Sequence, residues 1–485
     1  MRSWILAFVL SLFLGGCLVG PNYRPPEIPV CDHWSGAETA AHLCLSCAAP
    51  PTAWWQLFGD PLLDKYIVMA ALHNKDILAA EANICQAKAM RQVAGAPLYP
   101  HVNADLIALR TYFSKNGPFL SSMPAAAAAT GVSPQRPRHA ETIYNPLFDA
   151  YWEIDLFGKT RRSIEAANAN VGSAIEQRND LLITILSEVA MNYMQLRSSQ
   201  TRGKLIEENI GLLERDVAIV AKQFAAGYRN QLDLQRIEAE LAQAEAALPD
   251  VLAQIYQNIY ALSALVGCLP EALLDELLPI RPLPQLPQIV TLGLRSDLLR
   301  RRPDVRQAER QLAAATANIG VAVASFFPSF ILFGDIGLQS LRLSNLFQAR
   351  SLSWALLGDL HIPLFEGGKL IGNLRANEAQ AAAAAFTFQK AVLIALEEAE
   401  SGLVAYTEEV RAMQELKDAV TRYEKLVGLT QERFTKGLVS VTDLLDVERE
   451  WNATEQDLLT SETAALLDLI RLYKALGGGW EPVCY

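Results

Sequence analysis

Apolar residues recur at alternating steps of three and four along two very long stretches of this chain. The two stretches share one phase, 210 residues apart. Leu182, Leu186, Val189, Tyr193 and Leu196 precede Val392, Leu396, Ala399, Leu403 and Tyr406 by that interval, and Ile210, Leu213, Val217 and Val220 precede Val420, Tyr423, Val427 and Thr430. The spacing predicts two helices, Lys159–Ala226 and Lys369–Lys436, of about 68 residues or roughly 100 Å each. A seam stepping by three and four is a coiled-coil pattern. It continues in the second stretch through Val410 and Met413 and skips Lys417, and alanine-rich runs such as Ala379–Ala385 suit close helix packing. Each long helix ends in the same punctuation, Phe224 to Gly227 in the first copy and Phe434 to Gly437 in the second. Asp233-Leu234 and Glu238 then match Asp443-Leu444 and Glu448. A glycine at that point permits a left-handed helix cap, so returning helices are expected over Leu232–Val266 and Thr442–Leu476. Gly158-Lys159 likewise matches Gly368-Lys369. The chain therefore reads as one long helical hairpin unit used twice.

Ahead of each long helix the period changes to two. Phe148, Ala150, Trp152 and Ile154 alternate with Asp149, Tyr151, Glu153 and Asp155, and Leu352, Trp354, Leu356, Leu360 and Ile362 with Ser353, Asp359 and His361. Such alternation predicts strands with one oily and one polar face. Four strands are expected, about residues 101–113, 146–156, 329–341 and 352–362. In the first, Ile107 and Leu109 break the alternation that Asn103 and Asp105 begin. Each strand is about the length of a tilted membrane strand, roughly 9–11 residues. Four strands cannot close a barrel, and lipid does not tolerate an open sheet edge. A membrane reading therefore makes the chain part of a barrel shared between subunits, with the copy number open; a soluble sheet is the alternative. Ser114–Glu141 reads as a long surface loop. Asp60 is a fair N-cap for a helix from Pro61 to about Leu98, where Pro100 follows. The expected organisation is a signal segment 1–16, an extended leader 17–58, a first repeat 59–269, a proline-rich linker or equatorial region 270–300 and a second repeat 301–485.

Composition narrows the function. The chain of 485 residues is 51% hydrophobic, yet no segment after the first twenty residues reads as a membrane-spanning helix. A net charge of −11 argues against nucleic acid, because phosphate binding needs clustered Lys and Arg. At the amino terminus Arg2 precedes the apolar run Trp4–Leu14, which ends Leu14-Gly15-Gly16-Cys17. That is a signal peptide by length and flanks, and small residues before Cys17 resemble a bacterial lipoprotein signal. It implies lipid on Cys17, and Leu18 rather than Asp implies an outer-membrane address; the alternative is an ordinary signal peptide with a chance cysteine. Export makes disulfides possible among Cys31, Cys44, Cys47, Cys85, Cys268 and Cys484, with the pairing open. The lone Cys44-Leu-Ser-Cys47 lacks a second pair, so a metal site is disfavoured. Gly158-Lys159-Thr160 imitates the end of a P-loop, but Glu153 stands where the first glycine belongs. Nothing sets a nucleophile beside a base. No catalytic residue, metal or cofactor is expected beyond the covalent lipid.

Several motifs together resemble a known family. They are the stretch Cys17-Leu-Val-Gly-Pro-Asn-Tyr-Arg-Pro-Pro26, the segment Trp55-x-x-Phe58-x-Asp60-Pro61, the duplicated strand–helix units and the tip Gly437-Leu-Val-Ser-Val-Thr-Asp443-Leu-Leu-Asp446. The chain is similar to TolC-type outer-membrane factors, in particular the lipoprotein branch of multidrug efflux outlets. The resemblance implies a mainly α fold with a membrane β part. It implies a homotrimer whose twelve-stranded outer-membrane β-barrel continues as a periplasmic α-helical coiled-coil barrel. It further implies a passive conduit that works with a periplasmic adaptor (membrane fusion) protein and an inner-membrane pump of RND type. Asp443 and Asp446, one turn apart, match the family's acidic pair at the pore constriction; Asp443 could equally serve its own helix terminus. Gly227, Tyr228, Gly437 and Leu438 match the tips where adaptors dock. Val439 stands where some relatives carry a tethering Arg, which leaves the locking contacts open. An exit duct for type I protein secretion and a non-conducting periplasmic lipoprotein scaffold remain as alternatives.

Overall fold

The computed structural model describes residues 17–26, 29, 33–37, 45–46, 48, 50–112, 114 and 140–480. The signal segment, Cys31, Cys44, Cys47, Cys484 and nearly all of the loop after Ser114 lie outside the described residues. The chain forms two compact units, each assembled from separate stretches. The first takes residues 1–24, 87–171 and 312–384; the second takes 25–86, 172–311 and 385–485.

The first unit is built on a four-stranded antiparallel sheet. Its strands are β1 (His101–Tyr112), β2 (Ala140–Ile154), β3 (Ser329–Leu338) and β4 (Leu352–His361), in that spatial order. All but one of the expected strand boundaries hold to within about three residues. The exception is β2, which starts at Ala140 rather than near 146, because β1 pairs as far as Tyr112↔Ala140. Register places Ala104, Phe148, Ile336 and Trp354 in one row across the sheet and Val102, Ala150, Gly334 and Leu356 in the next. Both rows share a face, since alternate residues point the same way. On that face Leu106 is 88% exposed, Leu356 78% and Trp354 72%. The opposite face carries Asn103, Asp149 and Asp335 in register, with Asn103 donating to Asp149 at 3.1 Å. Among the described residues, β1 and β4 are the outer strands, each laddered to a neighbour on one side.

The second unit is helical, and four of the helices described next continue into the stretches of the first. Expected as one helix, residues 61–98 form α1 (Pro61–His73) and α2 (Lys75–Gly95), followed by a short 3-10 turn, Ala96–Leu98. Asn74 makes the break: its backbone is extended, its side-chain oxygen accepts from the Asp76 and Ile77 amides, and its Nδ2 donates to Leu265 O at 2.8 Å. Side chains that cap a new helix compete with continuation of the old one. Asp60 is the N-cap of α1, accepting from Leu62 N at 2.9 Å, and Tyr193 Oη also donates to it.

The long helices are α3 (Lys159–Ala225), returning as α4 (Gln231–Val266), and α7 (Lys369–Thr435), returning as α8 (Val441–Ala475). Between the copies lie a turn of helix at Leu274–Leu277, a strand Val290–Thr291 that pairs in parallel with Leu45–Ser46, then α5 (Arg295–Arg301) and α6 (Pro303–Ala324). The predicted seam is the core: Leu186, Val189, Tyr193, Leu196, Val392, Ala399, Leu403 and Tyr406 are all buried. Trp54 and Trp55 pack into the same cluster, Trp54 stacked on Tyr473 at 6.0 Å. Toward the turns the copies diverge. Leu213 and Val220 are buried, whereas Val420, Tyr423, Val427 and Thr430 are half-buried, and Leu426 and Leu429 are exposed. α7 also corrects an expectation: it contains an 18-residue window apolar enough to cross a membrane. Its alanines and leucines raise hydropathy there, but a coiled-coil seam needs the same residues.

Candidate functional site

The two hairpin tips are the most unusual feature of the second unit. At the first, Gly227 takes φ +78°; its amide donates to Phe224 O at 2.9 Å and that of Tyr228 to Gln223 O at 2.8 Å. At the second, Gly437 takes φ +72°, with Gly437 N to Phe434 O at 2.9 Å and Leu438 N to Arg433 O at 3.0 Å. This paired closure uses carbonyls that a helix end otherwise leaves bare, and its left-handed residue favours glycine. The next side chains point away from the protein, Tyr228 83% and Leu438 65% exposed. A small core holds the tips together. Leu213, Val220, Ile237, Phe434, Val441, Leu444 and Leu445 form it, with Val439 packed against it.

The two predicted aspartates have different surroundings. Asp443 belongs to a complete capping box. Its Oδ2 accepts from Ser440 N at 2.9 Å and Ser440 Oγ at 2.7 Å, while its own amide donates to Ser440 Oγ at 3.1 Å. These hydrogen bonds from the Ser440 side chain and backbone hold its carboxyl below the usual carboxylate range. Asp446, one turn on, is exposed, with Arg449 Nη1 at 3.8 Å. The equivalent position in the first hairpin is Arg236.

Two links the sequence reading missed tie α4 to α8. Arg236 Nη1 donates to Thr442 Oγ1 at 2.6 Å, and Arg449 reaches Glu240 with Nη2 to Oε2 at 2.9 Å. The repeat hid them, because each uses a residue that breaks the match: Arg236 stands against Asp446, and Arg449 against Ala239.

A third link joins α3 to α8 through two carboxyl groups. Asp216 and Glu448 are buried and lie within hydrogen-bonding reach of each other. Burial, then the neighbouring Asp216, pushes Glu448 up to about 8. Burial also raises Asp216, against the hydrogen bond from Glu448 and the charge of Arg215. Asp216 Oδ2 meets no N–H or hydroxyl donor among the described residues. Two ionised carboxylates this close are strongly disfavoured, and each raises the other's affinity for a proton. Glu238, at the matching place in the first hairpin, is exposed and accepts from Gln235.

In the first unit, Cys17 is an exposed free thiol. Among the described residues no cluster of His, Cys, Asp and Glu has the makings of a metal site.

Comparison with known proteins agrees with this architecture. The outer membrane efflux protein family matches residues 66–268 and 294–478. The solvent efflux pump outer membrane protein SrpC of Pseudomonas putida is 30% identical over 493 residues, covering 99% of each chain. The toluene efflux pump outer membrane protein TtgF of the same species is 29% identical and covers 100% of this chain and 98% of its own. Among solved structures, the outer-membrane channel OprN superposes with a TM-score of 0.87 at 28% identity, over 96% of this chain and all of its own. The open state of the MtrE outer-membrane channel of Neisseria gonorrhoeae gives 0.79 at 25% identity, over 96% and 99%. With matches along nearly its whole length and in both copies of its repeat, the chain belongs to the outer membrane efflux protein family and is an outer-membrane efflux channel.

Proposed function

We propose that this protein is the passive exit duct of a tripartite pump, carrying drugs or other small, largely apolar molecules across the outer membrane. The observation that carries this reading is the sheet. It has an apolar face turned to its surroundings, a polar face bearing Asn103, Asp149 and Asp335, and, among the described residues, two outer strands laddered on one side only. Closed on itself in lipid, such a sheet needs further copies. Three copies of four strands make a twelve-stranded barrel, wide enough for a polar lumen. The half-buried seam and exposed leucines of α7 suit contact between subunits. Relatives named for solvent, toluene and antibiotic efflux favour small molecules over secreted proteins.

In this reading an inner-membrane pump of RND type supplies substrate, and a periplasmic adaptor docks on Gly227, Tyr228, Gly437 and Leu438. Asp446, repeated around the axis, forms a ring of negative charge that attracts cations and narrows the entrance. Asp443 contributes to that field while its Oδ2 caps α8. Lipid on Cys17 adds a second hold on the membrane. No catalysis or cofactor is required, because the driving force comes from the pump. The test is complementation: an efflux-deficient host carrying the matching pump and adaptor should regain solvent and drug tolerance with this chain. Full expression in the outer membrane without any gain in tolerance would overturn the reading.

A further inference from the structure

A buried arginine in the first unit is devoted to the start of the mature chain. Arg162, in the first turn of α3, is 1% exposed. Its Nε donates to Val19 O at 3.0 Å, and its Nη2 to Gly20 O at 3.1 Å and Asn22 Oδ1 at 2.8 Å; Nη1 donates to Glu165 Oε2 at 2.7 Å. Burying a guanidinium is costly unless its donors are met, and here three of four bonds go to residues 19–22. The backbone joins in, with Val19 N donating to Phe157 O at 3.3 Å.

Glycines make the space. A Cβ on Gly158 would lie 2.4 Å from Leu18 Cδ1; one on Gly20, which sits at φ +86°, would lie 2.5 Å from Gly320 Cα; one on Gly320 would lie 2.8 Å from Arg162 Cδ. Two of these contacts involve backbone atoms or a locked side chain, so they cannot relax cheaply. The repeat provides an internal control. The residue 210 positions beyond Arg162 is Gly372, and among the described residues a Cβ there would meet nothing within 4 Å. The strand–helix junction therefore does not need an arginine to fold. It carries one only in the copy that receives the leader.

We propose that Arg162, Gly158 and Gly320 form a docking site for residues Leu18–Asn22, which fixes acylated Cys17 beside the end of β2 and so directs its acyl chains into the leaflet next to the sheet. The proposal rests on the lipoprotein reading of Cys17. Cys17 is two residues from Val19, so their Cα atoms are at most about 7 Å apart. Val19 in turn is hydrogen-bonded to Phe157, three residues past the end of β2. Docking thereby makes the acyl group a local insertion device for the sheet rather than a tether on a loose leader.

The experiment compares the full-length acylated protein with Arg162→Met and, from the leader side, Asn22→Leu. Amide exchange of the peptide carrying Val19 and Gly20 is followed by mass spectrometry, with outer-membrane oligomer measured in parallel. Exchange at Val19 is expected to speed up at least about tenfold in both variants, since local opening governs protection. Oligomer in the outer membrane is expected to fall several-fold, with acylation retained. Asn22→Leu leaves α3 untouched, so it judges the site even where Arg162→Met fails to fold. Unchanged protection in Asn22→Leu, or lost protection with wild-type insertion, would overturn the proposal. The mass of the amino-terminal peptide separates the two premises: an unacylated Cys17 sinks the acyl placement, whereas the exchange result alone judges the docking site.

Discussion

At the scale of single residues, Glu448 carries the sharpest expectation. Its folded value of about 8 lies above the ordinary 4.5, so the folded tip binds the proton more tightly than the unfolded chain does. The stabilising contribution is complete below the ordinary value and is lost as pH rises through about 8, because the native state then holds the extra proton no longer. The groups that bear on the pair are Asp216 and Glu448 themselves and Arg215; α4 presents the apolar Ile237, Leu241 and Ala244 to the same core, and its Glu240 is engaged by Arg449. Amide exchange in residues 210–220 should therefore accelerate between pH 7 and pH 9 more than intrinsic chemistry requires. Glu448→Gln, neutral at every pH, should remove that excess; a variant that retains it would show the pair is not the cause. A second expectation concerns Arg449, which joins Glu240 on α4. Arg449→Ala should loosen the tips and raise single-channel current, while Arg449→Lys should restore part of the closure. An identical current in both variants would rule out this link as a latch. None of this was legible in the chain. The shared Glu238/Glu448 pattern conceals that one is exposed and the other buried, since burial is decided by which hairpin packs on α3. Asp443 and Asp446 could be picked out from the tip motif. The alternative role for Asp443 reached only as far as the helix dipole, and its capping box with Ser440 is visible only in the structure.

At the scale of elements, periodicity was a good guide wherever one side chain per turn or per pleat meets a continuous surface. Seam residues such as Val189 and Tyr406 are buried as their spacing requires. β1 formed despite Ile107 and Leu109, because pairing with Asn145 and Ile143 of β2 outweighs local alternation. The break at Asn74 was missed because it depends on a partner 191 residues away, Leu265. Two substitutions follow. Trp354→Arg places a charge on the exposed apolar face of the sheet, where lipid is expected; the cost of about 2–4 kcal/mol at mid-bilayer should deplete the outer-membrane oligomer. Wild-type levels of folded, heat-modifiable protein would contradict that placement. Gly437→Val combines bulk with a left-handed backbone costing about 1–2 kcal/mol for a β-carbon residue, and among the described residues nothing lies within 4 Å of its Cβ. Gly437→Asn keeps the bulk and tolerates the conformation better. If the tip is a docking surface, both should abolish efflux while leaving oligomer assembly intact. Normal efflux with Gly437→Asn would reduce the glycine to a helix cap.

At the scale of the whole molecule, duplication gives the functional reading its logic. One strand–helix–turn–helix plan appears twice, 210 residues apart, and the copies differ where each meets something else: Arg162 against Gly372 at the leader, Arg236 against Asp446 at the tips. A sheet whose outer strands are laddered on one side only among the described residues, with an oily exposed face, is what the proposed rotational assembly would complete. The most direct test is single-channel recording of the purified protein in planar bilayers, wild type beside Asp443→Asn/Asp446→Asn. A trimeric duct with an acidic entrance predicts a small, cation-preferring current in the wild type that grows or loses its selectivity in the variant. Intact oligomers that pass no current in either form would contradict the channel itself.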